Sequence, residues 1–407
     1  MATLYDVLII GGGMVGASLA HALTGTGLRI GVVEAHALDA TRQPSYDDRV
    51  IALAWGSRRI LDGMGVWSAI APEAEPIRHI HISERGHFGF AHLDAEEERV
   101  EALGYVVAAR DLGQALLAGL DSAERVDLLC PAQLHAFTLE PDRVRVEVRE
   151  GDAARSLETR LMVAADGGDS VVRRLLGIPV QEWSYGQTAI ISNVTPERPH
   201  EGIAFERFTD TGPLAMLPMT EGRCSLVWTA RDAQVEEIMG WDDGHFLAQL
   251  QDRFGYRLGR LLKTGRRVAY PLKRLRVKAQ VRRRVVLIGN AAHAVHPVSG
   301  QGFNLGIRDV AALADLLAEA ARKRADPGAA ALLGRYAEWR RGDQRIVAAI
   351  TDTLARVFTN PLPPVRWARD CGLLGLDLCP PLKHRTARRF MGLNGQLPRL
   401  ARGLPVA

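Results

Sequence analysis

The amino-acid sequence predicts an α/β fold: a parallel sheet of the doubly wound kind, interleaved with a β-rich second domain and followed by a helical C-terminal region. Three observations predict it. Residues 5–34 read as apolar strand, glycine-rich turn, helix and second strand, the opening half of a doubly wound unit. Residues 187–230 give several short β-rich runs with no long helix between them, which fits a mostly antiparallel sheet. Residues 284–289 then form an apolar strand of the buried parallel kind, followed by an Ala- and Leu-rich helix over 303–324.

In chain order, the first strand covers 5–10, the turn 11–13, the helix 14–27 and the second strand 30–34. A loop rich in turn formers, 39–48, leads to a helix expected over 50–64, and the Pro and Glu cluster at 72–76 marks a boundary. Alternation predicts a strand at 79–84, while 104–109 runs into a helix through 120 and 143–149 alternates Val with charge as one arm of a hairpin. Strand 161–163 leads to a helix over 171–176, and β runs follow at 188–194, 214–218 and 224–229. A Pro-x-Pro-Pro run at 361–364 sets off a last helical, basic tail. The first domain is therefore expected in three pieces, 1–75, 100–180 and 272–360, the β-rich domain in two, 76–99 and 181–271, and the tail over 361–407.

The 407 residues, 47% hydrophobic and 24% charged, suffice for two or three domain-sized units with a large core. A net charge of +4 falls far short of a nucleic-acid-binding profile, so no nucleic-acid partner is expected. Cys130, Cys224, Cys371 and Cys379 form no Cys-x-x-Cys pair, which points to reduced thiols in a cytoplasmic protein rather than a disulfide framework or a zinc site. The N-terminus lacks the basic lead-in and long apolar region of a signal peptide. No apolar run approaches the roughly 20 residues needed to span a bilayer, so any membrane contact is expected to be peripheral.

Gly11-x-Gly13-x-x-Gly16 lies between an apolar strand and a helix opened by Met14. There, glycines permit a tight turn, close approach of the backbone to a pyrophosphate, and close helix packing. Glu34, 21 residues after Gly13, ends the second strand, where a carboxylate accepts the hydroxyls of an adenosine ribose. Asp166-Gly167 follows strand 161–163, where an Asp before a helix reads equally as a cap. The third block runs Gly289-Asn290-Ala291-Ala292-His293, then Pro297 and Ser299-Gly300-Gln301-Gly302-Phe303-Asn304-Leu305-Gly306. A strand ends at a polar side chain and a glycine loop opens a helix. Asn290 is placed for ribityl hydroxyls, and the amides of 300–303 for an anionic flavin locus. His293 and His296 flank a proline loop without an obvious third ligand, so no metal site is expected.

Together these three motifs resemble the flavin-dependent aromatic hydroxylases of the para-hydroxybenzoate hydroxylase fold, a resemblance that covers nearly the whole chain. Within that family, Asp48-Arg49-Val50-Ile51-Ala52-Leu53, Ser83-Glu84-Arg85-Gly86-His87-Phe88-Gly89 and the stretch Gly300 to Gly306 with Arg308-Asp309 resemble the ubiquinone-biosynthesis hydroxylases, most of all the 2-polyprenyl-6-methoxyphenol hydroxylase branch. Most of the wider family has Gly-Asp where this chain has Gly289-Asn290, whereas Gly-Asn is a feature of that branch. Asn retains an acceptor oxygen for ribityl contact and loses the charge.

The resemblance implies a bound FAD in a Rossmann-type domain, with Arg49 and Arg110 lining it. It implies NADH or NADPH as a transient reductant and O2 as co-substrate, acting through a flavin C4a-hydroperoxide to hydroxylate a polyprenyl phenol. The cofactor carries the hard chemistry, so no triad is required, and His293 is the sole, weakly supported candidate for proton handling. One Gly-x-Gly-x-x-Gly leaves no second dinucleotide unit. The basic stretch 273–284, seven Lys and Arg with no acid, is either a contact for a nicotinamide phosphate or, more simply, a solvated loop. The tail is expected as a helical cap on the FAD domain whose basic face, including Arg366, Arg385 and Arg388, is a candidate for contact with anionic lipid or with other quinone-biosynthesis enzymes. Two alternatives stand beside this expectation: a hydroxylase of a small soluble phenol or benzoate, and a flavin-binding scaffold without turnover.

Overall fold

A computed structural model describes residues 3–37, 49–120, 123–360 and 362–406. The expected 39–48 loop, Asp48 of the quoted motif and Pro361 lie outside the described residues.

Five parallel strands form the first sheet, in the order Val285–Leu287, Ala153–Ala164, Thr3–Ile10, Ile30–Val33 and Val126–Leu129. The antiparallel strands Gln133–Leu139 and Val144–Glu150 extend it from Ala153–Ala164, and Val281–Arg282 closes one edge. The first strand shows why its apolar run is unbroken. Val7 and Ile9 enter one core cluster while Leu8 and Ile10 enter another, because successive side chains of a strand point to opposite faces and both faces here are covered. The helices Met14–Leu23 and Gln301–Arg322 cover the first of these faces.

A nine-stranded, largely antiparallel sheet makes the second layer, running His293–Ala294, Val268–Val277, Val180–Pro196, Cys224–Arg231, Gly212–Pro218, Ile203–Thr209, His79–Glu84 and Phe90–Asp94, with Leu261–Thr264 paired to Val180–Pro196. One of its faces is closed by the helices Val235–Gly240 and Asp243–Phe254 around Trp228, Phe246 and Phe254. The other face looks toward the first domain.

Three expectations need correction. Residues 50–64 do not form one helix: Val50–Ala54 is a strand paired with Gly104–Ala108, and the helix begins at Trp55. The apolar run Val-Ile-Ala-Leu-Ala suits either state, and pairing decides it. The basic stretch 273–284 is not a solvated loop, since its first part lies in the strand Val268–Val277, and Arg284 is buried on Asp326 at 2.7 Å. The tail does not simply cap the first domain. Helices Pro363–Leu378 and Pro380–Phe390 lie against the second sheet, where Gly89 N donates to Asp370 Oδ1 at 3.1 Å and His92 N to Asp377 Oδ1 at 2.7 Å. The chain then returns to the first domain, with Gly56 N donating to Met391 O and Arg399 N to Asp315 Oδ2, both at 2.8 Å.

Asn304 fastens the corrected strand to the long helix. Its Oδ1 accepts from Ala54 N at 2.8 Å and Ser57 Oγ at 2.7 Å, and its Nδ2 donates to Ala52 O and Gly300 O, each at 2.7 Å. Every capacity of the amide is used in a buried site. Replacing it strands a buried amide and two carbonyls, so Asn304→Ala is expected to destabilise the fold by about 3 kcal/mol, measured as a shift of the denaturant midpoint at unchanged slope.

Candidate cofactor and active site

The glycine-rich turn is built by close approach. Gly11 has φ +104°, and a Cβ there would lie 2.5 Å from Ala165 O. A Cβ on Gly16 would lie 1.9 Å from Gly11 O, so the helix packs on the turn at a distance only glycine allows. Gly13 precedes the helix in extended geometry, and no side chain caps its first amides. Those unsatisfied N–H groups, starting at Met14, form an anion-binding end. Glu34 is buried beside them, Oε2 accepting from Gly12 N at 2.6 Å and Oε1 from His36 N at 2.8 Å. Oε2 retains a lone pair for a ribose hydroxyl, while Oε1 also lies 3.3 Å from His36 Nδ1.

The second motif meets the first here. Ala165 N donates to Ile10 O at 2.8 Å, placing Asp166 against Gly11. Val172 N donates to Asp166 Oδ2 at 3.1 Å, while Oδ1 is buried without a hydrogen-bond partner. Burial raises the Asp166 pKa, against the Ser170 hydroxyl and the Val172 amide that lower it. An unmatched buried oxygen beside the phosphate turn is a vacancy in the hydrogen-bond pattern that a polyhydroxy ligand fills, and in this respect the residues fit FAD. Gly167, at φ +80°, leaves open space beside it.

The third block joins the same place from the far end of the chain. Val15 wedges between Gly289 and Gly306, where a Cβ on either glycine would come within 3.1 Å of its methyls. Asn290 and Pro297 are both exposed. Ser299 and Gly300 are both left-handed, at φ +63° and +60°, and the helix Gln301–Arg322 starts without a side-chain cap. A Ser in this region costs energy and marks a constrained loop. Gly302 faces open space and Phe303 is half-buried. Gln301 and Asn304 are turned inward: Gln301 binds Ser299 O and Phe390 O, each at 3.3 Å, and Asn304 holds the 50–54 strand. Only their backbones face a ligand locus, so their side chains act as positioning groups.

Arg49 stacks over the Tyr270 ring at 4.8 Å, bridging the two domains, and Arg110 is half-exposed beside Asp111 at 3.3 Å. His293 is engaged elsewhere. Its Nε2 lies 2.6 Å from Asp309 Oδ2, which also accepts from Gly289 N at 3.2 Å. Asp309 Oδ1 accepts from Arg340 Nε at 2.7 Å and Gln344 Nε2 at 2.9 Å. Burial works against the Asp309 charge, yet His293 and Arg340 together hold its carboxyl well below the usual range. His293 thus braces the Gly289 turn rather than facing the ring locus. His296 is buried separately against Tyr185, pushed down to about 4 by burial, and Val298 N donates to its Nδ1 at 3.2 Å. The two histidines share no ligand position. The one cluster of three metal-ligand types among the described residues, Glu84, His87 and Asp370, is bonded to Arg369 and to Gly89 N.

Sequence reasoning missed two features. Arg340 and Asp343, three apart on one helix and bonded to each other, with Asp343 also bonded to Arg308, were indistinguishable from a solvated helix face. Arg276, Lys278, Arg341 and Arg345 line a cavity of about 480 Å³ with no acid on its wall, bounded also by 292–295. The basic stretch signalled only half of that cavity; the helix Ala330–Thr359 supplies the rest.

The steric reading gives a direct outcome. Gly16→Val, which drives side-chain atoms into Gly11 O, is expected to yield protein without retained flavin, read as the absorbance ratio of the purified variant. A wild-type flavin content would overturn the assignment of this turn.

The FAD binding domain family matches residues 4–351. The chain is 41% identical to the ubiquinone hydroxylase UbiL of Rhodospirillum rubrum over 98% of this chain and 93% of that one. It is 34% identical to the 3-demethoxyubiquinol 3-hydroxylase of Escherichia coli, over 95% and 98%. In fold it is similar to p-nitrophenol 4-monooxygenase PnpA from Pseudomonas putida, with TM-score 0.80 at 20% identity, covering 97% of this chain and all of that one. The chain therefore belongs to the FAD binding domain family, with the ubiquinone hydroxylases among its relatives.

Proposed function

We propose that this protein is an FAD monooxygenase that hydroxylates the ring of a polyprenyl methoxyphenol in ubiquinone synthesis, with NADH or NADPH as reductant and O2 as oxygen source. The observation that carries the reading is the convergence of the Gly11 turn, Asp166 and the 289–306 block on one groove, opposite an apolar sheet face. When bound there, FAD supplies the relay of electrons from the nicotinamide to oxygen. The chain's own residues hold and shield. Met14 to Gly16 offer amides to the pyrophosphate, Glu34 the ribose contact, Asp166 and Asn290 the polyol contacts, and the 297–303 loop the ring contact.

The face of the second sheet that looks toward this loop carries Ile80, Ile82, Ala204, Phe208 and Leu217. A wall of this composition suits an apolar, prenylated ring and excludes water from it. The strand Ile203–Thr209 presents no arginine on this face, because Arg207 points the other way. A benzoate-type substrate calls for such a cation, so the small-substrate reading is the weaker one. The acid-free cavity around Arg276, Lys278, Arg341 and Arg345 is the best-supported dock for the reductant's phosphates, since it borders the segment that follows Asn290.

No helix among the described residues is long and apolar enough to cross a membrane. A lipid-borne substrate must then be met at the surface, and the tail supplies a fitting face. Trp367, 64% exposed, packs on exposed Phe88, and Leu362, Leu378 and Leu382 are exposed with it. Arg366 and Arg385 accompany them, an apolar patch with a cationic border.

Purified protein is expected to be yellow and to consume NADH or NADPH and oxygen faster when a 2-prenyl-6-methoxyphenol is added, with hydroxylated product identified by mass. A protein that cannot be reconstituted with FAD sinks the reading and leaves no enzyme to test. Arg341→Glu with Arg345→Glu is expected to raise the KM for the nicotinamide at least tenfold while FAD content stays constant. Trp367→Ala with Leu378→Ser should weaken sedimentation with vesicles containing anionic lipid and leave turnover of a short-chain substrate unchanged.

A further inference from the structure

Glu206 stands apart from every other carboxylate in the molecule's interior. It lies mid-strand in Ile203–Thr209, paired with Ala215 on one side and Ile82 on the other. Its neighbours on the same face, two residues either way, are Ala204 and Phe208. Ala204 packs in a cluster with Val106, against which Val50 and Ala52 pack, and a Cβ on Gly300 would lie 3.0 Å from that Ala52 Cβ. Phe208 packs in a cluster with Val298, and stacks on Phe358 at 3.5 Å. Glu206 therefore points from the second sheet toward the 297–303 loop, between two apolar clusters that both touch it.

Among the described residues nothing satisfies this carboxylate. No hydrogen bond or ion pair reaches it, while Glu84 on the neighbouring strand is bonded to Arg369, and the buried Asp309 has four partners. Burial alone raises its pKa, to about 7, with no opposing charge. Yet the side chain retains accessible surface. It is half-buried, on the sheet face that is turned toward the 297–303 loop. A buried, unpaired carboxylate is costly to keep, and a position that tolerates it is a candidate for chemistry.

Resting on the monooxygenase reading above, we propose that Glu206 is the catalytic base for the substrate phenol. Its carboxylate takes the proton of the ring hydroxyl as oxygen attacks: the phenol O–H bond breaks, a Glu206 O–H bond forms, and the electron pair left on oxygen enriches the ring at the carbon that receives the oxygen atom. The new C–O bond forms as the O–O bond of the oxygen donor breaks; rearomatisation releases the ring C–H proton to the oxygen left on the donor, and Glu206 returns its own proton to the phenolate oxygen. A base with a pKa near working pH is the one best matched to this task.

The titration of Glu206 has few neighbours to confuse it. On its own face the flanking strands offer Ile80, Ile82 and Glu84 on one side and Ala215 and Leu217 on the other, and Glu84 is held by Arg369 and His87. The loop opposite offers His296, which is neutral above about pH 4. The sign of the stability effect follows from a raised folded pKa. Between the ordinary value of 4.5 and about 7 the folded chain holds a proton that the unfolded chain has lost, so this group's contribution to stability falls as pH rises through that window and the penalty is complete above it.

The test uses FAD holoenzyme, 2-prenyl-6-methoxyphenol and Glu206→Gln. Product formation by wild type is expected to rise with pH through a limb near 7, and the variant to lose that limb and at least 100-fold in rate, with FAD content and NADH oxidation retained. A ring-fluorinated analogue, whose hydroxyl ionises more readily, should recover part of the loss, which a purely structural role would not allow. Independently of activity, wild-type Tm should fall more between pH 5 and pH 8 than that of the variant. A variant with wild-type rate and pH profile, or with equal losses on both phenols, overturns the assignment while leaving the monooxygenase reading standing. If the variant does not fold, absence of the limb in wild type overturns it equally, and a wild-type holoenzyme that hydroxylates no phenol overturns both.

Discussion

The structure depends on one steric joint. Val15 sits in the slot left by the missing side chains of Gly289 and Gly306, next in the chain to Gly16, which lies against Gly11 O. Through this contact the glycine turn at the start of the chain and the loop near residue 300 become one wall. Every feature assigned to the cofactor hangs on it: the uncapped amides at Met14, Glu34 beneath them, Asp166 against Gly11, and Asn290 at the exposed end of its strand. A single methyl at these contacts would separate parts that lie far apart in sequence, since packed backbones have no slack to absorb it.

Polar chemistry then holds what the glycines bring together. Asp309 ties Gly289 N, His293 and Arg340 to one carboxylate, and Asp343 ties Arg340 to Arg308. Such a network is tolerable inside a protein because each charge has an opposite partner and each lone pair a donor. Asn304 performs the same service with a neutral amide, joining the strand Val50–Ala54 to the long helix. Between them, these residues set the position of the ring-contact loop without touching its ligand face.

The second sheet meets this rigid wall with a largely apolar face that carries Glu206 and the Arg369-bound Glu84, and the tail closes the assembly by crossing from one sheet to the other. Asp370 and Asp377 take amides of the second sheet's edge while Met391 O takes Gly56 N of the first domain. A tail that grips both layers leaves its outer side free, and that side is where the exposed Trp367 and its leucines lie. The apolar sheet face, the glycine wall and the exposed patch of the tail thus share one framework, with the basic cavity bordering the 292–295 segment on another flank.

The sequence by itself determined what depends on local spacing: the strand, glycine turn and helix at the start, Glu34 at the end of the second strand, the 289–306 block, and so the family and its cofactor. These were legible because a phosphate turn needs glycines at fixed intervals and a doubly wound sheet needs apolar runs on both faces. Tertiary structure alone decided whether 50–54 pairs as a strand, since its apolar residues satisfy both periods; where the tail packs, since a basic amphipathic helix fits many surfaces; and what Gln301, Asn304 and His293 do, since inward and outward amides or imidazoles look alike in a motif. It also singled out Glu206. In sequence this is one acid in a β-rich run, beside Arg207 and without a motif. Its isolation is a property of the two apolar clusters folded around it, and no count of neighbours along the chain contains that information.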